Sequence, residues 1–256
     1  MSYRTINIIF ILLIISAISL YLFDFWPVWP IFLAFLAYVL LMLMLSTNVR
    51  WNFFVKAHHR NAKYSGKVVA LSFDDGPVEN TLKILDVLDR YNAKAAFFCI
   101  GKNIEKRPEI FKEIIARGHM VGNHTYSHTR KLGFVNHYQF YNEIQQCNAI
   151  AEKISGLKMN IFRPPFGIIN PKTKSALQKT GHEVMGWSVR PYDAILNSPE
   201  IILKRITKKV KSGDLILLHD HKPQNVEILE QLLLFLRRNN FSTVRPDKLF
   251  QLDAYS

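Results

Sequence analysis

The sequence predicts an α/β fold of parallel strands and covering helices, preceded by a two-helix transmembrane hairpin. Three observations support this prediction. Two long uncharged segments fill most of residues 1–47, short apolar runs alternate with helix-periodic segments from Lys67 onward, and clusters of polar residues follow several of these runs. Alternating strands and helices are typical of a parallel sheet covered by helices, in either a barrel or a doubly wound open sheet.

The N-terminal hairpin is predicted from residues 5–23 and 25–46, which contain no charged side chain. At ~1.5 Å per residue the first segment would form a helix of roughly 28 Å, close to the ~30 Å hydrocarbon core of a bilayer. The turn between them holds Asp24, prolines and tryptophans, as at a membrane interface. A secretory signal is the alternative for the first segment because Arg4 precedes it, but no clear small-x-small cleavage site follows.

Residues 48–66 are predicted to form a basic and aromatic juxtamembrane linker, in which Arg50 and Trp51 begin a series of such side chains. This composition favours contact with anionic lipid headgroups. The formal net charge of +13 makes nucleic-acid binding the alternative. The basic residues are spread thinly and no nucleic-acid-binding motif is present, so we predict no nucleic-acid partner.

A folded α/β domain is predicted over residues 67–256. Strands are predicted from short apolar runs and helices from apolar residues at helical spacing. The predicted strands are 68–75, 94–100, 119–123, 160–163, 182–189, 214–219 and 242–245. The predicted helices are 80–91, 104–117, 138–155, 172–180, 199–211 and 225–238. Cys99 and Cys147 form no CxxC pair and are predicted to be buried thiols.

Two adjacent carboxylates, Asp74 and Asp75, end the first of these strands, and Gly76-Pro77 follows them. Neighbouring carboxylates repel each other, so such a pair is best accommodated when one binds a cation and a positive group holds the other. A solvated turn at the strand end is the alternative from this stretch alone.

His124 and His128 follow the third predicted strand. Their spacing of four predicts a helical turn that presents both imidazoles on one face, where they could share a metal ion. Alone, this spacing is more often a structural pair. With Asp75 as a third ligand, the set leaves open positions and suits a catalytic Zn²⁺ or a similar divalent ion.

Arg163 and His219 follow two further strands at the same predicted rim. Two prolines fix the backbone behind Arg163, which is predicted to pair with Asp74 and keep it ionised. A histidine facing a metal site is a candidate general acid. A purely structural role is the alternative for both residues.

The motifs FDDGP, HTYSH, RPPFG and LLHD, in this order, resemble those of the NodB-homology polysaccharide deacetylases, carbohydrate esterase family four. The resemblance covers about residues 67–247. It implies a distorted (β/α) barrel of about seven strands, a divalent metal that is commonly zinc, and hydrolysis of an N-acyl group, usually acetyl, from an amino sugar. By position it implies these roles: Asp74 as general base, Asp75, His124 and His128 as metal ligands, Arg163 as the partner of Asp74, His219 as general acid, and the Phe166 N–H as an oxyanion donor.

One motif departs from the family pattern. The family often has Trp-Ser-x-Asp-x-x-Asp-Trp after its fifth strand, whereas residues 187–194 here read WSVRPYDA. Asp193 keeps the position expected to bind His219, but Arg190 replaces an acid and Ala194 replaces an aromatic residue. The substrate-binding wall is assigned to Phe166, Pro165, Trp187 and Leu217.

The predicted function is metal-dependent removal of an N-acyl group from an amino sugar in a polysaccharide or a lipid-linked saccharide. A catalytically silent, membrane-anchored glycan-binding or scaffold protein is one alternative, which Arg190 and Ala194 favour. A metal-dependent phosphohydrolase is another, but adjacent Asp74 and Asp75 do not form a DxD motif and no Gly-rich phosphate cradle is present.

The catalytic domain is predicted on the cytoplasmic face of a cell membrane. Arg4 precedes the hairpin and several basic residues follow it, while the intervening turn has none. The positive-inside rule then places both outer ends in the cytoplasm. The predicted partners are an N-acylated carbohydrate and the lipid bilayer. The opposite face is the alternative, because many members of the family that the chain resembles act outside the cell. If only one apolar segment spans the membrane, the domain moves to that face.

Overall fold

The computed structural model describes residues 3–256 and begins with two apolar helices. Helix α1 spans Tyr3–Leu22 and helix α2 spans Trp29–Ser46. They contact each other through Phe10 and Tyr38, whose stacked rings lie 4.0 Å apart. The mean hydropathy is 2.5 for α1 and 2.2 for α2, and almost none of either helix is buried. Both helices are long and apolar enough to cross a membrane, a property that an N-terminal signal helix shares.

A parallel sheet follows, with helices outside it. The strands are β1 (Ala57–His58), β2 (Val68–Asp74), β3 (Ala95–Cys99), β4 (Met120–Asn123), β5 (Ile161–Phe162), β6 (Glu183–Met185), β7 (Asp214–His219) and β8 (Ser242–Thr243). The helices are α3 (Glu79–Arg90), α4 (Gly101–Lys106), α5 (Pro108–Ala116), α6 (His137–Ser155), α7 (Pro171–Thr180), α8 (Pro199–Thr207), α9 (Asn225–Arg238) and α10 (Pro246–Phe250).

The sheet curves into a distorted (β/α) barrel, as predicted. Seven strands follow one path in the order β1-β6-β5-β4-β3-β2-β7, and β8 pairs with the start of β2. The segment after β6 meets β7, because Ser188 N–H donates to Leu215 O at 3.0 Å and Leu217 N–H donates to Val189 O at 3.0 Å. All seven residues of β2 are buried, as expected for a strand that is covered on both faces.

Two local predictions differ from the structure. The predicted helix 104–117 is two helices that meet at Pro108, which has no N–H to donate into a continuous helix. The predicted strand 182–189 is regular only over Glu183–Met185. Its continuation changes partner, since Gly186 N–H donates to His58 O in β1 while Ser188 bonds to β7.

Residues 48–66 are packed against the barrel. Strand β1 pairs with β6 in register Ala57↔Val184. Val49, Phe54 and Ala57 are all at least 95% buried and belong to one apolar cluster with side chains of the barrel. The division of the chain into residues 1–47, 48–66 and 67–256 stays a prediction, and the structure adds that the middle segment has tertiary contacts of its own.

The two cysteines are free and buried, as predicted. Both belong to the main apolar cluster between the sheet and its outer helices. Burial raises the pKa of the Cys147 thiol to about 12, so the thiol is neutral.

We expect Phe54→Ala to lower the free energy of unfolding by about 3–5 kcal/mol, because it empties a packed aromatic position. Phe54 is 5% exposed, whereas Phe134 is 86% exposed and supplies the matched control. Phe134→Ala should change stability by less than about 0.5 kcal/mol. Thermal unfolding of the full chain in detergent measures both; equal melting temperatures for the two variants would mean that residues 48–66 do not stabilise the barrel.

Candidate active site

The predicted site residues meet at the carboxyl end of the barrel strands. Asp74 ends β2 and lies beside His219 of β7 in the strand register. Asn123 ends β4 and lies beside Phe162 of β5, so that the residues that follow each of these strands emerge next to each other. Parallel α/β barrels place functional side chains at this end, because loops from several strands converge there.

Asp75, His124 and His128 form a cluster with the composition of a metal site. One potential ligand atom from each lies within 4.8 Å of the others. Asp75 Oδ1 lies 3.6 Å from His124 Nε2 and 3.3 Å from His128 Nε2. The same carboxylate oxygen is buried and has no hydrogen-bond partner. A buried carboxylate oxygen beside two imidazole nitrogens fits a divalent cation, which would satisfy all three atoms.

The surroundings of His124 favour a neutral imidazole that offers Nε2 to the cluster. His124 is 2% exposed, and its Nδ1 lies 2.8 Å from the carbonyl oxygen of Arg163. A proton on Nδ1 donates to that carbonyl and leaves the Nε2 lone pair free. Burial lowers the pKa of His124 to about 4, despite the opposing charge of Asp74. A neutral ring is the form that binds metals.

The predicted helical turn between the two histidines is wrong. Residues 124–128 form an irregular loop in which Thr125 and His128 have positive φ angles of 65° and 48°. Side chains outside the loop stabilise this path: Thr125 N–H donates to Asn123 Oδ1 at 2.9 Å, and the Ser127 hydroxyl donates to Glu143 at 2.7 Å. The two imidazoles converge, with ring centroids 4.8 Å apart, through these contacts and not through helical periodicity.

Asp74 and Arg163 form a buried ion pair. The Arg163 Nη1 lies 2.6 Å from Asp74 Oδ1 and 2.9 Å from the Ser72 hydroxyl. Its Nε and Nη2 donate to the carbonyl oxygens of Met185 and Gly186 at 3.1 and 2.8 Å. The Arg163 side chain is fully buried. These bonds satisfy the guanidinium at each of its nitrogens, which a charge in a barrel interior requires.

The ion pair determines the protonation of Asp74. Burial raises the pKa of this carboxyl, but the charge of Arg163, followed by the contributions of His124 and His219, outweighs burial and leaves the pKa below its usual value. Asp74 is therefore ionised at neutral pH. Asp74 Oδ2 lies 3.8 Å from His124 Nε2, so it can accept a proton close to the cluster of Asp75, His124 and His128.

His219 and Asp193 form a second polar pair on the same rim. Asp193 is fully buried, and its carboxylate lies 3.1 Å from His219 Nδ1. Burial lowers the pKa of His219, but the hydrogen bond and charge of Asp193, helped by Asp74 and Asp75, outweigh it and raise the pKa to about 9. His219 is consequently cationic at neutral pH and can donate a proton from Nε2.

Comparisons with known proteins identify the family. The model of the polysaccharide deacetylase family matches residues 61–185. A peptidoglycan-N-acetylglucosamine deacetylase of Bacillus cereus is 34% identical over 200 residues, which make up 76% of this chain and 72% of the relative. This chain belongs to the polysaccharide deacetylase family. The NodB-homology resemblance is thereby confirmed.

Further relatives of this chain support polysaccharide N-deacetylation as its type of activity. The peptidoglycan-N-acetylmuramic acid deacetylase PdaC of Bacillus subtilis is 32% identical over 184 residues, 72% of this chain and 38% of PdaC. One similar solved structure is a peptidoglycan N-acetylglucosamine deacetylase bound to a substituted N-hydroxybenzamide. It has a TM-score of 0.72 and 33% sequence identity to this chain, and the match covers 78% of this chain and 94% of the solved chain. The likeness confirms the barrel.

The four residues of the predicted substrate wall differ in their exposure to solvent. Phe166 is 42% exposed, has a φ of 61°, and its ring lies 4.8 Å from that of His128. No hydrogen bond from its backbone N–H is present within residues 3–256, which leaves that donor available. Pro165, Trp187 and Leu217 are buried, so these three side chains expose little surface to a substrate.

Four further residues belong to this site and were not predicted from the sequence. His221 Nδ1 lies 3.3 Å from Asp75 Oδ2. The Asn225 amide donates to Asp193 and to the His219 carbonyl. Asp220 is buried and accepts from the Thr81 hydroxyl at 2.6 Å; burial raises its pKa to about 7. Ser72 is the fourth, through its bond to Arg163. A histidine directly after the LLHD motif was the available signal for His221, whereas the other contacts depend on tertiary packing.

Arg163→Met should lower the free energy of unfolding by about 3–5 kcal/mol, because it leaves the Asp74 carboxylate buried without its partner. Arg90→Met is the matched control, since Arg90 pairs with Glu230 at 3.3 Å on the surface. Its loss should cost less than about 1 kcal/mol. Melting temperatures are measured on the full chain. Equal values for the two variants would mean that the buried pair contributes no more to stability than the surface pair.

Proposed function

We propose that this protein is a metal-dependent amino-sugar N-deacetylase. The observation that carries the proposal is the convergence of three groups at one rim: the Asp75, His124 and His128 cluster, the ionised Asp74, and the cationic His219. Hydrolysis of an amide requires an activated water, stabilisation of an oxyanion, and protonation of the leaving nitrogen. Each requirement has a candidate group here.

Asp75, His124 and His128 would hold the divalent ion, and Zn²⁺ suits two imidazoles and one carboxylate. Such an ion supplies Lewis acidity towards the amide carbonyl and the attacking water. The unpartnered Asp75 Oδ1 supports this assignment. His221, through its contact with Asp75, would orient that carboxylate.

The chain's own groups would then perform the proton transfers. Asp74, held ionised and oriented by Arg163, takes the proton of the attacking water. The Phe166 N–H donates to the oxyanion that develops on the acyl oxygen. His219, kept cationic by Asp193, gives a proton to the amide nitrogen as the C–N bond breaks, so that the products are a free amine and a carboxylate.

The substrate that we propose is an N-acylated, in particular N-acetylated, amino sugar in a polysaccharide or a lipid-linked saccharide. The relatives reported above are named for action on peptidoglycan, whose sugars carry N-acetyl groups. The two apolar helices would keep this deacetylase at a bilayer, where lipid-linked saccharides are found. Arg190 and Ala194 lie within three residues of Asp193 in the sequence, and both depart from the family pattern.

We expect the full-length protein to release acetate from N-acetylated oligosaccharides and lipid-linked amino sugars in a mass-spectrometric screen, and a chelator to abolish the reaction. Asp75→Ala, His124→Ala and His128→Ala should each lose metal and activity. Asp74→Asn should keep metal, because it removes only the base, while turnover falls by about 10²–10⁴-fold. Full metal content in all three ligand variants, measured by elemental analysis, would refute the ligand assignment.

The rate should fall as pH rises through about 9, because His219 then loses the proton that it donates. Asp193→Asn removes the carboxylate that raises the His219 pKa, so this basic limb should move to lower pH by roughly 1–3 units. Asp253→Asn, which changes an exposed carboxylate, is the control and should leave the limb in place. A pH–rate profile that is the same in all three proteins would separate Asp193 from the acid.

We propose that α1 and α2 span the membrane and that the barrel lies on its cytoplasmic face. The basic residues that flank the hairpin support this orientation. Protease added to intact cells should leave the barrel uncut, and protease added after permeabilisation should digest it. Digestion before permeabilisation would overturn the orientation and favour an extracytoplasmic glycan as substrate.

A further inference from the structure

A cavity of about 340 Å³ lies between the end of α2 and the segment that follows β6. Four basic side chains line it, and its lining contains no carboxylate. These basic residues are Arg50, Arg190, Arg205 and Lys209. The cavity is large enough for a small charged group of a ligand. It is distinct from the metal cluster, because none of Asp75, His124 and His128 lines it.

The four basic side chains lack anionic partners. None of them forms an ion pair within residues 3–256, although the chain has many such pairs elsewhere. The Arg205 Nε is buried and has no hydrogen-bond partner. Converging cations repel one another, and a buried guanidinium nitrogen without a partner is unfavourable. An anion in the cavity would relieve both effects.

Aromatic rings hold two of the arginines in this arrangement. The Arg205 guanidinium lies 4.7 Å from the centre of the Tyr192 ring, and that of Arg190 lies 5.2 Å from the Trp187 ring and 5.1 Å from Tyr192. Stacking restricts each guanidinium plane while leaving its N–H groups free to donate. Planar guanidinium groups with free N–H donors are suited to bidentate contacts with phosphate oxygens.

The position of the cavity favours a lipid as the source of the anion. Met44 and Thr47 at the end of α2 form part of its wall, and Met44 is 50% exposed. The α2 surface before them is apolar and unburied. In a membrane, the end of such a helix lies at the depth of the phosphate groups, where basic side chains attract anionic headgroups.

We propose that this cavity binds the phosphate group of a membrane lipid. The segment that lines it with Trp187, Arg190 and Tyr192 continues directly to Asp193, the partner of His219. A lipid-linked amino sugar could therefore place its phosphate in the cavity and its N-acyl group at the rim. That consequence rests on the proposed function, whereas phosphate binding itself does not.

The test measures binding to the full chain in detergent micelles by isothermal titration calorimetry. The probes are dioctanoyl phosphatidic acid, dioctanoylglycerol as its phosphate-free match, and inorganic pyrophosphate. Each titration is repeated in a chelator, because a phosphate bound through a metal ion is lost there and one bound in the cavity is kept. Activity is not measured, so a failure of this proposal is distinguishable from a failure of the proposed deacetylation.

We expect phosphatidic acid to bind and dioctanoylglycerol not to bind. Arg190→Gln combined with Arg205→Gln should weaken phosphatidic acid binding at least about tenfold, since two charge-assisted contacts are lost. Lys209→Ala, at an exposed position, should weaken it by about threefold. Lys208→Ala is the matched control: it removes an exposed charge from the next position, outside the cavity, and should leave the affinity within about twofold.

The other outcomes also decide the proposal. Pyrophosphate could bind as tightly as phosphatidic acid, with the same loss of affinity in the arginine variant. That result would support a phosphate site and exclude the lipid as the source of the phosphate. Binding that is equal in the wild type, the arginine variant and Lys209→Ala would overturn the site. Binding of neither phosphate probe would overturn it as well. Melting temperatures within the wild-type range verify that each variant is folded.

Discussion

The buried pair of Asp74 and Arg163 is the interaction on which the barrel and its site both depend. From the end of β5 the Arg163 side chain reaches Ser72 and Asp74 in β2 and the backbone at the end of β6, and stacks 3.9 Å from the centre of the Phe98 ring in β3. Its carbonyl oxygen also orients His124. One residue therefore connects four strands with a proposed metal ligand, and these contacts stabilise its buried charge.

Backbone conformation at the rim indicates a second constraint. Asp75, Thr125, His128, Phe166 and Tyr192 all have positive φ angles between 48° and 78°. Such angles cost of order 1–3 kcal/mol for residues other than glycine and persist only where the surrounding contacts impose them. Here they occur at Asp75 and His128, two of the proposed metal ligands, and at Phe166, whose N–H is the proposed oxyanion donor. The barrel thus provides the stability that permits an unfavourable local geometry where the chemistry is proposed to occur.

Charge is distributed in two different ways around this rim. At the candidate active site two pairs of opposite charges face each other: Arg163 with Asp74, and Asp193 with His219. In the neighbouring cavity, none of the four cations forms an ion pair within residues 3–256. Arg190, which stands where the family pattern has an acid, contributes to the unpaired set. The same short segment after β6 thus carries Asp193, which supports the proposed catalysis, and Arg190, which is suited to an external anion. The proposed anion site and the proposed catalytic site are therefore joined by a few residues of backbone.

The sequence by itself determined the parallel α/β class, the two apolar helices and the residues of the cluster, because strand runs and the residues directly after them are local patterns. Only the tertiary structure decided the loop between His124 and His128, the pairing of β1 with β6, the contact of His221 with Asp75, and the cation-lined cavity. These features depend on side chains from distant segments, such as Glu143 on the histidine loop. Periodicity cannot report such partners, since a contact between distant segments exists only once the chain has folded and brought them together.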